Sequence, residues 1–170
     1  HRIHQRRIDV MEVNKTREHA WLQKMVGEWK GEGEANMGPD QPAMKWSVEE
    51  SVRGIGDVWV LGESRGTMPD GSPSTMIITL GFDPERKRFT GTFIGSMMTH
   101  LWIYDGELDA AGKVLTLNAE GPSMTGDGSL ARYQDIVEII SDDQRKLSSQ
   151  MQMPDGSWNK FMTSTYLRKR

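Results

Sequence analysis

The sequence has no cysteine. That excludes disulfides, thiolate nucleophiles and cysteine-ligated zinc or iron–sulfur clusters. Histidine is scarce, with only His1, His4, His19 and His100. A metal site built from histidine and carboxylate needs several such ligands close together. His100 with Glu50, Glu63 or Asp135 could meet that need only by a coincidence of register. No stretch approaches the ~20 consecutive apolar residues of a membrane span, so a soluble chain without membrane contact is expected. No basic segment leads into an apolar core and a small-residue cleavage site, and the expected location is cytoplasmic. The formal net charge is −3, which offers no basic field for nucleic acid. The six tryptophans could stack on bases only with basic residues interleaved; the acidic balance assigns them to a core or cavity instead. No Gly-x-Ser-x-Gly elbow accompanies Ser96 and His100, and the glycine-rich loop from Gly121 to Ser129 lacks the Gly-Lys-Ser/Thr ending of a phosphate loop.

A chain of 170 residues fits one domain, and a fold of this size buries about two-thirds of its unfolded surface. Residues 1–13 read as a basic arm, a tag or linker with Met11 as a candidate natural start, and residues 14–170 as a single domain. A short helix follows the arm. Asn14 or Thr16 can cap it, Glu18 suits its first turn, Trp21, Leu22 and Met25 share a face, and Gly27 suits its end.

From Gly27 onward the pattern has period two. Strand-like runs cover residues 27–36, 44–53, 57–67, 73–82, 87–97, 99–108, 113–120, 132–140, 146–153 and 158–168. The reversals between them are explicit: Met-Pro-Asp-Gly-Ser occurs at both 68–72 and 153–157, where proline presets φ and glycine accepts a positive one. The fold class expected is all-β, a closed antiparallel up-and-down barrel of about ten strands with a short N-terminal helix.

Alternation then sorts the faces. Glu28, Lys30, Glu32 and Glu34 must be solvated, which turns Trp29, Gly31 and Gly33 inward. Trp46, Val48, Glu50 and Val52 form an apolar face that carries one carboxylate, and Tyr133, Asp135, Val137 and Ile139 form another. Phe89, Gly91, Phe93, Gly95 and Met97 oppose Thr90, Thr92, Ile94, Ser96 and Met98, and neither face ranks above the other. His100, Trp102 and Tyr104 fall together. The 18 glycines and 12 methionines suit a sharply coiled sheet around an adaptable interior, because methionine is flexible and glycine admits close approach.

The run Val26-Gly27-Glu28-Trp29-Lys30-Gly31-Glu32-Gly33 resembles the opening of a calycin-superfamily, lipocalin-like barrel. There the tryptophan of Gly-x-Trp closes one end, and Gly27 and Trp29 inherit that expectation. Leu80-Gly81-Phe82-Asp83-Pro84, the stretch from Phe89 to Met98, and Tyr166-Leu167-Arg168 resemble the uncharacterised bacterial "domain of unknown function 1579" family over residues 20–168. Gly-x-Trp-x-Gly-x-Gly is more distantly similar to nitrobindin-type haem barrels. That resemblance implies haem held by a late histidine, yet no histidine follows His100.

The expected function is binding of a small apolar or amphipathic, fatty-acid-like ligand in the barrel, without a cofactor and without catalysis. Trp46, Phe93, Met97 and Trp102 would supply walls, and Glu50, Glu63, His100 and Asp135 polar anchors. Three alternatives stay open: an enzyme using His100 and an interior carboxylate as acid and base, a haem barrel with His100 as axial ligand, and a structural homodimer whose barrel is filled.

Overall fold

The computed structural model describes residues 13–36 and 38–170. The basic run at 1–7 and Met11 lie outside the described residues. Helix α1 (Arg17–Gln23) precedes β1 (Gly27–Ala35), β2 (Met44–Ile55), β3 (Trp59–Thr67), β4 (Pro73–Asp83), β5 (Arg88–Gly95), β6 (Trp102–Leu108), β7 (Val114–Pro122), β8 (Leu130–Ser141), β9 (Gln144–Gln152) and β10 (Trp158–Arg168). Each strand pairs antiparallel with its chain neighbours, and β1 also pairs with β10, setting Gly31 opposite Tyr166. The expected closed up-and-down barrel is the fold, and closure removes every unpaired edge. One stretch departs from expectation. The β5–β6 ladder ends at Phe93 opposite Trp102, and the Met98 N–H donates to the Gly95 carbonyl at 3.2 Å. The chain turns there, which places His100 in the connection ahead of β6 rather than on a strand.

The ambiguous fifth run resolves with Phe89 and Gly91 buried inward and Ile94 exposed. Gly91 is packed too tightly for a side chain, since a Cβ there would lie 2.0 Å from the Thr79 carbonyl oxygen. Gly91→Ala is expected to cost about 1–3 kcal/mol, the usual range for overpacking a tight site. Urea denaturation with an unchanged m-value checks it.

One end of the barrel is plugged. Trp21, Leu22, Met25 and Trp29 pack with Val52, Val60, Leu80, Phe89, Leu115 and Val137 into the main cluster. The Thr16 N–H donates to His19 Nδ1 at 2.9 Å, so the ring proton sits on Nε2, which donates to the Phe82 carbonyl at 2.9 Å. The buried imidazole thereby does the work of a capping-box side chain while tying α1 to β4. Trp21 Nε1 donates to the Gly112 carbonyl at 2.8 Å. Arg168 lies over Trp29 at 4.2 Å and donates to the carbonyls of Val26 and Lys24 at 2.7 and 2.9 Å, latching the last strand to the first.

At the opposite end the two Met-Pro-Asp-Gly-Ser segments fold alike. The Gly71 and Gly156 N–H groups donate to the Met68 and Met153 carbonyls at 2.9 and 2.8 Å, with φ of +88° and +87°. That left-handed conformation suits glycine. A third Asp-Gly-Ser, at Asp127-Gly128-Ser129, sits at the same end in the β7–β8 loop. In all three the serine hydroxyl and N–H donate to the aspartate, holding the carboxyls of Asp70, Asp127 and Asp155 below the ordinary value.

Candidate ligand-binding cavity

Ten strands enclose more space than inward side chains fill, and a cavity of about 520 Å³ remains between the plug and the Asp-Gly-Ser end. Val48, Ile78, Phe93, Leu117 and Leu147 form apolar walls, and Lys45, Thr67, Met68 and Pro69 mark the mouth. Met44, Met68, Met76, Met97 and Met162 all contribute, so thioethers that can repack around different shapes dominate the outer half. The glycines of β1 explain how two large rings fit. A Cβ at Gly31 would meet the Tyr166 ring at 2.5 Å, and one at Gly33 the Trp46 ring at 2.3 Å. Each ring therefore lies flat over bare backbone.

Two polar sets interrupt the apolar lining. In the first, buried Arg145 on β9 reaches across the barrel to pair with buried Glu50 on β2. Ser64 Oγ donates to Glu50 Oε2 at 3.0 Å. The guanidinium also sits 4.3 Å from the Tyr166 ring centre and 4.7 Å from that of Trp29, an arrangement in which ring faces attract the cation. Burial lowers the Arg145 pKa to about 10, which leaves it charged at neutral pH.

In the second set, the Tyr104 hydroxyl donates to Asp135 Oδ2, and Ser149 Oγ donates to Oδ1 at 2.5 Å. Burial raises the Asp135 pKa, with the two hydroxyls opposing the rise. Burial likewise pushes the Tyr104 phenol well above its ordinary value, aided by the neighbouring carboxylate. Asp135 is half-buried and lines the cavity.

Of the residues singled out from sequence, Trp46, Glu50, Phe93, Met97 and Asp135 line the cavity. Met97 stands at the mouth, 40% exposed. Gly27 and Trp29 lie at the plug, Trp29 only 1% exposed and donating from Nε1 to the Met25 carbonyl at 2.9 Å. Glu63 points outward and pairs with Arg65 at 2.8 Å, because its neighbours Gly62 and Ser64 take the inward positions. Trp102 faces the rim, where its ring meets those of His100 and Tyr133 edge-on at 4.7 and 4.9 Å. His100 Nε2 lies 3.0 Å from the Glu120 carbonyl. A carbonyl only accepts, so Nε2 is protonated and committed there, away from both polar sets. Sequence reasoning missed Arg145, Ser64, Tyr104, Ser149 and Tyr166. Among the described residues, no group of three or more histidines and carboxylates is placed to hold a metal, and no helix is long and apolar enough to cross a membrane.

A closed ten-stranded barrel with a helical plug, an inward Gly-x-Trp and an internal cavity has a lipocalin-like fold. The solved structures agree in fold. Rv2717c from M. tuberculosis superposes with a TM-score of 0.65 at 16% identity, covering 92% of this chain and all (100%) of that one. The S-type phycobiliprotein lyase CPES from Guillardia theta gives 0.59 at 11% identity, over 92% of this chain and 94% of its own. The chain belongs to the family described as "protein of unknown function (DUF1579)", whose profile matches residues 14–168. A search of the curated proteins found no match.

Proposed function

We propose that this barrel binds a small apolar or amphipathic molecule in its cavity and does so as a carrier or receptor rather than an enzyme. The observation that carries the reading is the cavity itself, about 520 Å³, within the ~300–1,000 Å³ typical of small-molecule pockets. Its walls are mostly apolar, and its deeper polar groups include Glu50, Ser64, Tyr104 and Asp135, joined in hydrogen bonds from Ser64 to Glu50 and from Tyr104 to Asp135. That combination gives burial energy from the walls and orientation from placed polar atoms. The similarity in fold to a phycobiliprotein lyase is consistent with small-molecule binding. The acid–base alternative finds little support, because His100 stands at the rim with Nε2 donating to Glu120.

The test uses N-phenyl-1-naphthylamine, a neutral apolar fluorophore. Saturable, blue-shifted emission is expected on titration into the protein. The double variant Met76→Trp/Met162→Trp narrows the cavity from two walls and should weaken binding about tenfold or more, roughly 1.4 kcal/mol, with the far-ultraviolet circular dichroism unchanged. Unaltered binding in that variant would place the fluorophore elsewhere and overturn the reading.

A further inference from the structure

We infer that the polar end of the ligand is a positively charged hydrogen-bond donor, an alkylammonium-type group, and that Asp135 receives it. The inference rests on the binding reading above and specifies the ligand's chemical class.

The charges facing the interior decide the sign. Glu50 and Asp135 are acids and Arg145 is the cation among them. Arg145 does not border the cavity; it pairs with Glu50 and lies against the rings of Trp29 and Tyr166, with its Nε left without a hydrogen-bond partner among the described residues. With Glu50 offset by Arg145, an anionic head at this depth would face the Asp135 carboxylate with no cation left to offset it, and like charges at close range in a low dielectric repel strongly. Lys45 also borders the cavity, but it is exposed and alternates with the inward Met44 and Trp46, so its ammonium remains in water.

Asp135 is built to accept more than it has been given. Among the described residues its donors are the hydroxyls of Tyr104 and Ser149. A carboxylate offers about four acceptor sites, and neutral hydroxyls cannot compensate its charge. The upward push that burial gives its pKa expresses that same missing compensation. A cation arriving from the cavity would supply both a donor and the opposite charge. At the mouth, Asp70, Asp127 and Asp155 are held in the ionised form by their serines, so the approach carries favourable charge as well.

Three probes with one alkyl chain and different heads separate the possibilities: dodecylamine, dodecanol and dodecanoate, each displacing N-phenyl-1-naphthylamine at neutral pH. The amine should displace it at a concentration about tenfold or more below that needed for dodecanoate, with the alcohol between. In Asp135→Asn the amine should lose its advantage over the alcohol, read as the ratio of the two displacing concentrations within that variant. Should that variant not fold, the ranking on the unmodified chain still decides. Displacement led by dodecanoate, or an amine preference that survives Asp135→Asn, overturns the inference and leaves the cavity reading intact. Fluorophore binding that none of the probes displaces and that Met76→Trp/Met162→Trp does not weaken overturns the cavity reading itself.

Discussion

Replacing Arg145 with methionine should lower the unfolding free energy by about 3–5 kcal/mol, the usual cost of stranding one partner of a buried ion pair. Glu50 is 6% exposed and Arg145 4%, so water cannot take over the role of the lost guanidinium. Ser64 would remain as a hydrogen-bond donor to Glu50, and a neutral hydroxyl does not balance a charge. The double variant Glu50→Gln/Arg145→Met removes both charges and keeps an acceptor for Ser64. It should recover most of the loss, because a buried pair is often worth little against neutral groups of similar shape. Urea unfolding of the parent, both single variants and the double variant measures the coupling directly. A double variant as unstable as Arg145→Met would mean that the arginine acts through packing against Trp29 and Tyr166 rather than through Glu50. Since whole domains are stable by only about 5–15 kcal/mol, the single variant could lose half its margin.

Trp29→Ala should be comparably severe, about 3–5 kcal/mol for emptying a fully packed aromatic site. Two guanidiniums lie over its indole, Arg168 at 4.2 Å and Arg145 at 4.7 Å, so removing it takes the ring face away from both cations. Trp29→Phe keeps a ring face for the cations and loses the donor to Met25, a net hydrogen-bond contribution of about 1 kcal/mol, together with some volume. The expected order of thermal midpoints is parent, then Trp29→Phe, then Trp29→Ala. If the phenylalanine variant fell as far as the alanine one, shape at this site would matter more than the stacked cations.

The barrel was legible because its outer faces announce themselves. Charges at Glu28, Lys30, Glu32 and Glu34 on β1 leave no choice about orientation, and proline–glycine turns mark the ends of β3 and β9. Where both faces carry threonine, glycine and apolar residues, as on β5, period two was visible but the inward side was not. The tight contact of Gly91 with β4 settles that question, and it depends on a neighbour far along the chain. Glu50 and Asp135 stood out as carboxylates on otherwise apolar faces. Arg145 did not, because Asp142-Asp143-Gln144 carry turn chemistry that masks the start of β9, and the arginine directly follows them. On the strand itself Arg145, Leu147, Ser149 and Met151 share one face. Partners such as Tyr104 with Asp135 are fixed by the stagger of strands around the barrel, a property that no local pattern carries. Glu63 and His100 were misjudged for local reasons, one by its place in the alternation and the other by the turn that delays β6 to Trp102.

The helical plug carries a kinetic implication. A tube sealed at its base exchanges its contents only through the mouth, so an incoming molecule cannot push the resident one out from behind. Turnover of bound ligand would then be governed by how fast the resident leaves, and a rival ligand could not hasten that departure. The molecule would also be threaded in a fixed sense, head first, with its far end near the methionines. Any protein that loads or unloads this barrel would have to approach the side carrying the three Asp-Gly-Ser loops, and a tail longer than the cavity would be the part it meets.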